Sequence, residues 1–288
     1  MRIAITGTTG RVGRALADHF SAAGHEVIEL PRSVCDLAEP GCAAVLEDLD
    51  FEVLLNPAGL TSLEQCEDQP GLAQQVNATA PGELAKICRK RGKKLLHFST
   101  DYVFDGVAPG LRREEDPPSP LSVYGRTKEQ GERAVVAEGG TVMRVSWVFG
   151  PEKPAFPDQI LAKALRGEEL SAIADKFSLP AYTPDIAAWT EGLLKADMPG
   201  GIFHGCNSGP VTSWHGIALE ITEFLHKRTG QPQAEVRKLS LAEMPAFRAV
   251  RPRHTAMATD KLETVLGKAP RDWREAVRQH LEACLLSR

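Results

Sequence analysis

Short apolar runs alternate with longer amphipathic stretches along the first half of the chain, and this alternation predicts the architecture. Arg2-Ile3-Ala4-Ile5-Thr6 has the compact apolar character of a buried strand, and Ala15 to Ala23 follows with helical spacing and stops at Gly24. His25 to Leu30 predicts a second strand. Phe51 to Asn56 predicts a third, ending in the small residues Pro57-Ala58-Gly59, and Leu95 to Ser99 a fourth. One helix is predicted from about Pro70 through Asn77 and Ala80 to Cys88, and another from about Ser122 to Glu138. Thr141 to Phe149 reads as a single strand closed by Gly150-Pro151. Strands and helices in this order imply an α/β fold, a doubly wound parallel sheet of the Rossmann type with right-handed crossovers.

Between the first strand and its helix stands Gly7-Thr8-Thr9-Gly10-Arg11-Val12-Gly13. Glycines spaced G-x-x-G-x-x-G at such a junction allow a tight turn, bring backbone amides up to a pyrophosphate, and aim the helix N-terminus at the anion. Arg32, after the second strand, suits the 2'-phosphate of NADP, while Glu29 keeps NAD open; Cys35-Asp36-Leu37 lies where an adenine ring is expected. In an open parallel sheet, ligands bind at the carboxyl ends of the strands, which brings Pro57-Ala58-Gly59 and Ser99-Thr100 to the glycine loop.

Beyond Pro151 the pattern loosens. Ile160 to Leu165 is helical, Phe177 to Pro184 reads as a loop, Asp185 to Lys195 as an amphipathic helix and Gly201 to Gly205 as a strand. Thr212-Ser213-Trp214-His215 caps a helix from Ile217 to His226, and Asp272 to Leu286 forms the terminal helix. Residues 1–150 are therefore read as the NAD(P)-binding domain and 151–288 mainly as a smaller substrate-binding lobe. The boundary is soft, because a late segment can return to the main sheet.

Composition narrows the classes. In 288 residues the hydrophobic fraction is 42% and the net charge −4, which gives no electrostatic case for nucleic acid or an anionic membrane as partner. The six cysteines form no C-x-x-C pair and no signal-peptide pattern opens the chain, so reduced thiols and a cytoplasmic location are expected. Histidines and cysteines are scattered, and no metal site is expected. The long polar loop from Asp105 to Pro120 leads to Tyr124 and Lys128, four apart and so on one helix face, where an ammonium beside a phenol favours phenolate. Thr100 offers a third polar group at the same edge.

Taken together, the glycine loop, Asn56-Pro57-Ala58-Gly59-Leu60-Thr61, Val76-Asn77-Ala78-Thr79, Ser99-Thr100-Asp101-Tyr102-Val103-Phe104, Tyr124-Gly125-Arg126-Thr127-Lys128 and Ser146-Trp147-Val148-Phe149 resemble the extended short-chain dehydrogenase/reductases. The branch most similar is that of the dTDP-4-dehydrorhamnose reductases, and the likeness runs over nearly the whole chain. It implies a nicotinamide cofactor, a nucleotide-sugar substrate, and reduction of a sugar C4 carbonyl with Thr100, Tyr124 and Lys128 as the catalytic group. By the same resemblance Gly7, Thr9, Gly10, Arg11, Val12, Gly13, Arg32, Asp36, Leu37, Pro57, Ala58, Gly59, Thr61, Asn77 and Ser99 hold the cofactor with Tyr124 and Lys128. Leu63, Asp101, Tyr102 and Trp147 face the sugar, and Arg251 the diphosphate. Related 4,6-dehydratases follow the hydroxyl with Asp-Glu; Asp101-Tyr102 stands here and favours reduction. The resemblance leaves open a homodimer, and also a regulatory role like that of the methionine adenosyltransferase beta subunit, which binds NADP and acts through a partner.

Overall fold

In the computed structural model, which describes residues 1–286, six strands form one parallel sheet. They are β1 (Arg2–Thr6), β2 (Glu26–Leu30), β3 (Val53–Asn56), β4 (Lys94–Thr100), β5 (Thr141–Val145) and β6 (Gly201–Gly205). Their spatial order is β6-β5-β4-β3-β1-β2, all parallel, so the winding reverses between β1 and β3. A crevice opens at the carboxyl ends of the strands at that point.

Alternation along the strands decides which face each side chain joins. Ile3 and Ile5 of β1, Leu96 and Phe98 of β4 and Met143 of β5 pack on one face against Leu16 and Phe20 of α1 (Arg11–Ala22). Ala4, Leu95 and Val142 turn to the opposite face, against Leu84 and Cys88 of α2 (Ala80–Lys90) and Val135 of α3 (Val123–Ala137). Each fully buried leucine or isoleucine contributes about 1.5–3 kcal/mol, so these two layers hold the edge on which the site is built. Ile186, Trp189 and Leu193 of α4 (Thr183–Lys195) join the α1 layer. Together with β6, this helix brings residues from beyond 150 onto the first sheet. A separate core joins Phe149, Ile160, Leu161, Tyr182, Ile217, Ile221, Trp273, Val277 and Leu281.

Several elements differ from the expectation. The run from Thr141 to Phe149 is not one strand: Trp147 takes φ +43°, and Val148–Phe149 leaves the sheet to pair with Ala181–Tyr182. The segment expected as a loop, Phe177 to Pro184, thus holds two short strands, Phe177–Ser178 pairing with Thr212–Ser213. Between Pro70 and Lys90 the helix widens into a π-helical turn over Gln75–Thr79. That widening lets α3 approach so closely that a Cβ on Gly131 would stand 2.1 Å from the Asn77 carbonyl oxygen. Leu63–Asp68 forms a further short helix, capped by Ser62. Among the described residues no helix is long and apolar enough to cross a membrane.

Candidate active site

The glycine loop is a fixed cradle. Gly7 stands at φ +56°, a left-handed conformation open to glycine, and its carbonyl accepts from Gly10 N at 2.8 Å. A Cβ on Gly13 would lie 2.2 Å from that same carbonyl oxygen, so the first turn of α1 presses directly on the loop. Arg11 fastens it to the far wall, donating to the carbonyls of Val148 (2.9 Å) and Pro154 (2.8 Å). These groups form one side of a cavity of about 740 Å³ at the carboxyl edge of the sheet.

Every expected site residue lines this cavity except Asn77 and Arg251. Asn77 is buried, and its carboxamide pairs both ways with the Leu60 backbone, accepting from N at 2.8 Å and donating to O at 3.0 Å. It shapes the loop that the cofactor would meet and does not itself face the cavity. Arg251 donates to Glu64 at 2.8 Å and lies 3.7 Å over the Phe247 ring, which engages the guanidinium expected to meet a diphosphate. Glu64 is distant in sequence, so no local pattern announces that pairing.

At the adenine end, Arg14 pairs with Glu29 at 2.9 Å and neutralises it. Arg32 pairs with Asp36 at 2.9 Å, and its side chain remains 78% exposed. Asp36 also accepts from Ala38 N, which fixes the turn beside Leu37.

At the opposite end stand the hydroxyls and the amine. Tyr124 is buried against Tyr102, ring centroids 5.8 Å apart at 70°. Burial holds its phenol well above the ordinary range, with the Thr100 hydroxyl opposing. The ammonium of Lys128, expected to pull that phenol down, points elsewhere: it donates to the Phe98 carbonyl at 2.6 Å and lies 3.1 Å from His97 Nε2. Helical spacing brought the two residues to one cavity without joining their head groups. Burial lowers the lysine to about 8, with Glu132 opposing.

Asp101 is almost fully buried and accepts from Thr100 (3.2 Å), Ser178 (3.3 Å) and Thr255. Desolvation raises its carboxyl and Lys176 opposes. Lys176, which sequence reasoning missed, is fully buried, donates to the Pro252 carbonyl and backs the pocket wall 4.7 Å from the Tyr102 ring and 5.6 Å from that of Trp147. Ser99 Oγ and Trp147 Nε1 are buried polar atoms with no protein partner, both on residues that line the cavity.

One grouping of possible metal donors lies apart from this cavity. Asp158, His280 and Cys284 bring ligand atoms within 4.8 Å of one another, although the sequence suggested no such cluster. His280 Nε2 lies 2.9 Å from Asp158 Oδ1, a hydrogen bond that docks the terminal helix, and His280 Nδ1 lacks the partner that orients a metal-bound imidazole.

Comparisons with known proteins converge. The family model described as RmlD substrate binding domain matches residues 1–286. A dTDP-4-dehydrorhamnose reductase of Burkholderia thailandensis is 33% identical over 290 aligned positions, covering 96% of this chain and 97% of the relative. A solved dTDP-4-dehydrorhamnose reductase from Clostridium acetobutylicum superposes with a TM-score of 0.90 at 27% identity, covering 99% of this chain and 100% of that one. A reductase of the same name from Bacillus anthracis, solved in complex with NADP, shares the fold at a TM-score of 0.87 and 24% identity, covering 98% of this chain and 99% of its own.

Proposed function

The chain belongs to the RmlD substrate-binding-domain family, and from that premise we propose that it is an NAD(P)H-dependent oxidoreductase reducing the C4 keto group of a nucleotide-activated 6-deoxy sugar, dTDP-4-keto-L-rhamnose to dTDP-L-rhamnose. The observation that carries this reading is that the glycine cradle and Thr100, Tyr124 and Lys128 line one cavity. The residues fit a dinucleotide. At Gly13 a Cβ would strike the Gly7 carbonyl and displace the cradle, and the partnerless Ser99 hydroxyl belongs to a residue of the same lining.

Bound there, the nicotinamide supplies the hydride for the carbonyl carbon. The chain's own residues supply the proton and the field. Because burial raises the Tyr124 phenol, it stays protonated through neutral pH and serves as the donor to the developing alkoxide. Lys128, lowered only to about 8, remains a cation at neutral pH and stabilises negative charge arising nearby. The Thr100 hydroxyl gives its proton to Asp101 and stands beside the Tyr124 phenol, which it orients. Tyr102 and Trp147 provide the apolar wall for the sugar. Asp101 is engaged by three hydroxyls, which suits a pocket-building carboxylate better than the free base that elimination of water requires.

NADP is the preferred cofactor in this reading. Arg14 cancels the charge of Glu29, and the exposed Arg32 at the rim offers a guanidinium to a 2'-phosphate. The Bacillus anthracis relative was solved with NADP. The test is consumption of NADPH, followed by absorbance with dTDP-4-keto-6-deoxy-L-mannose, and the same with NADH. Turnover with a higher kcat/KM for NADPH is expected. Tight NADPH binding without oxidation would overturn the catalytic reading, and equal kcat/KM for the two cofactors would overturn the NADP preference.

A further inference from the structure

Behind Lys128 a chain of buried polar groups, His97, Asn56 and Thr6, runs into the sheet outside the cavity lining. His97 lies on β4 and faces the α3 side together with Leu95, as strand alternation dictates. Its Nε2 is 3.1 Å from Lys128 Nζ and its Nδ1 is 3.0 Å from Asn56 Nδ2. Asn56 Oδ1 in turn accepts from the Thr6 hydroxyl at 2.6 Å, and that hydroxyl oxygen lies 3.4 Å from Ala58 N in the loop lining the cavity. Thr6, Asn56 and His97 are fully buried and Lys128 is 4% exposed.

The donors and acceptors of this chain are interdependent. Burial keeps His97 far below its ordinary range, so its ring is neutral and carries one N–H. An ammonium at Lys128 must donate to Nε2, which places the ring proton on Nδ1 and requires Asn56 to present its oxygen. An uncharged amine accepts instead, which places the ring proton on Nε2 and requires Asn56 to present its NH₂. Passing from the first set to the second takes a half-turn of the carboxamide, moves the ring proton from Nδ1 to Nε2 and releases one proton from the Lys128–His97 pair, and Thr6 changes from acceptor to donor. In each set both ring nitrogens of His97 keep a partner, which in a buried interior avoids a heavy penalty.

We propose that His97 is a positioning residue of the reaction centre: with Asn56 and Thr6 it forms a buried seat that aims the Lys128 amine and whose ring tautomer follows the charge on that lysine. The proposal rests on the catalytic reading of Lys128 given above. The other titratable groups facing the lysine are Cys66, Glu132 and, one helical turn away, Tyr124. Burial pushes the Cys66 thiol up to about 11, and Glu132 is held by Arg144. Neither is placed to alternate as His97 does.

The first test needs no substrate. Long-range proton–nitrogen NMR of the full chain with labelled histidine, His97 being identified by its loss in His97→Gln, reads the tautomer directly. The Nδ1–H form is expected below, and the Nε2–H form above, the lysine's midpoint at about 8. A single tautomer across about pH 6 to 10 overturns the proposal, whether or not the protein proves to be a reductase. The second test is the pH profile of kcat. His97→Leu removes the acceptor that favours the ammonium, so the basic limb moves down by about one unit, and His97→Gln, which keeps an acceptor, moves it less. If both variants lower kcat equally at every pH and leave the limb in place, His97 is structural only. Should His97→Leu fail to fold, His97→Gln and the wild-type tautomer decide.

Discussion

Replacing Tyr124 by phenylalanine removes one oxygen and little else, and this makes it the sharpest test of the site. The ring sits against Tyr102, Cys66 and Ala73, contacts that phenylalanine retains. The lost hydroxyl faces Thr100, a hydrogen bond with a net worth of about 1 kcal/mol, so the fold survives. A general acid contributes about 10²–10⁴-fold, or roughly 3–5 kcal/mol of barrier at 1.36 kcal/mol per decade. The expected result is therefore a fall of that size in kcat, measured by NADPH absorbance, with the Kd for NADPH in a fluorescence titration within about threefold of wild type. Wild-type activity should also decline as pH rises past about 8, where Lys128 loses its charge, while Tyr124 is still protonated. The variant should lose turnover across the whole range. A kcat within about threefold of wild type would refute the assignment of Tyr124 as proton donor.

Two further outcomes follow from the geometry. Gly13→Ala puts a methyl group 2.2 Å from the Gly7 carbonyl oxygen, so the cradle must shift at an overpacking cost of about 1–3 kcal/mol; NADPH affinity should fall about tenfold or more, and an unchanged Kd would count against the loop as the binding site. Glu132→Ala leaves the fully buried Arg144 without the carboxylate that it meets at 2.7 and 2.9 Å; a loss of about 3–5 kcal/mol is expected, read as a melting point lower by roughly 6–20 °C. A drop of less than about 2 °C would show that the pair is not stabilising the α3–β5 contact.

The parts of this protein that were legible in its sequence are those governed by local rules. Buried parallel strands read as continuous apolar runs, and glycines at a strand–helix junction carry their meaning in their spacing. From these the carboxyl edge could be placed, and the resemblance added most of the individual side chains that line the cavity there. What was not legible depends on partners far away in the chain. Arg251 meets Glu64, and Asn77 meets Leu60, so these two side chains are engaged by the protein outside the cavity lining. Ser146-Trp147-Val148 contains no glycine or proline to mark a break, and only the docking of Val148–Phe149 on Ala181–Tyr182 explains why the strand ends there. The tyrosine–lysine pair shows the limit of helical spacing, which sets the face but not the direction of a long flexible side chain. His97 did carry a signal: a polar residue within an apolar strand, in phase with the face that α3 covers.

The kink at Trp147 places two opposed demands on a single position. Its φ of +43° suits glycine or asparagine, and a bulky residue held there stores on the order of 1–3 kcal/mol. Its indole lines the cavity and packs edge-on to Trp214, 5.8 Å away, a duty only a large flat ring performs. Substitutions that relax the backbone therefore strip the pocket of its surface, and substitutions that preserve the surface keep the tension. Retuning the pocket at this wall would be confined to a narrow set of aromatic exchanges, and Lys176 behind it, buried and facing the Asp101 carboxylate, is fixed by its own partners.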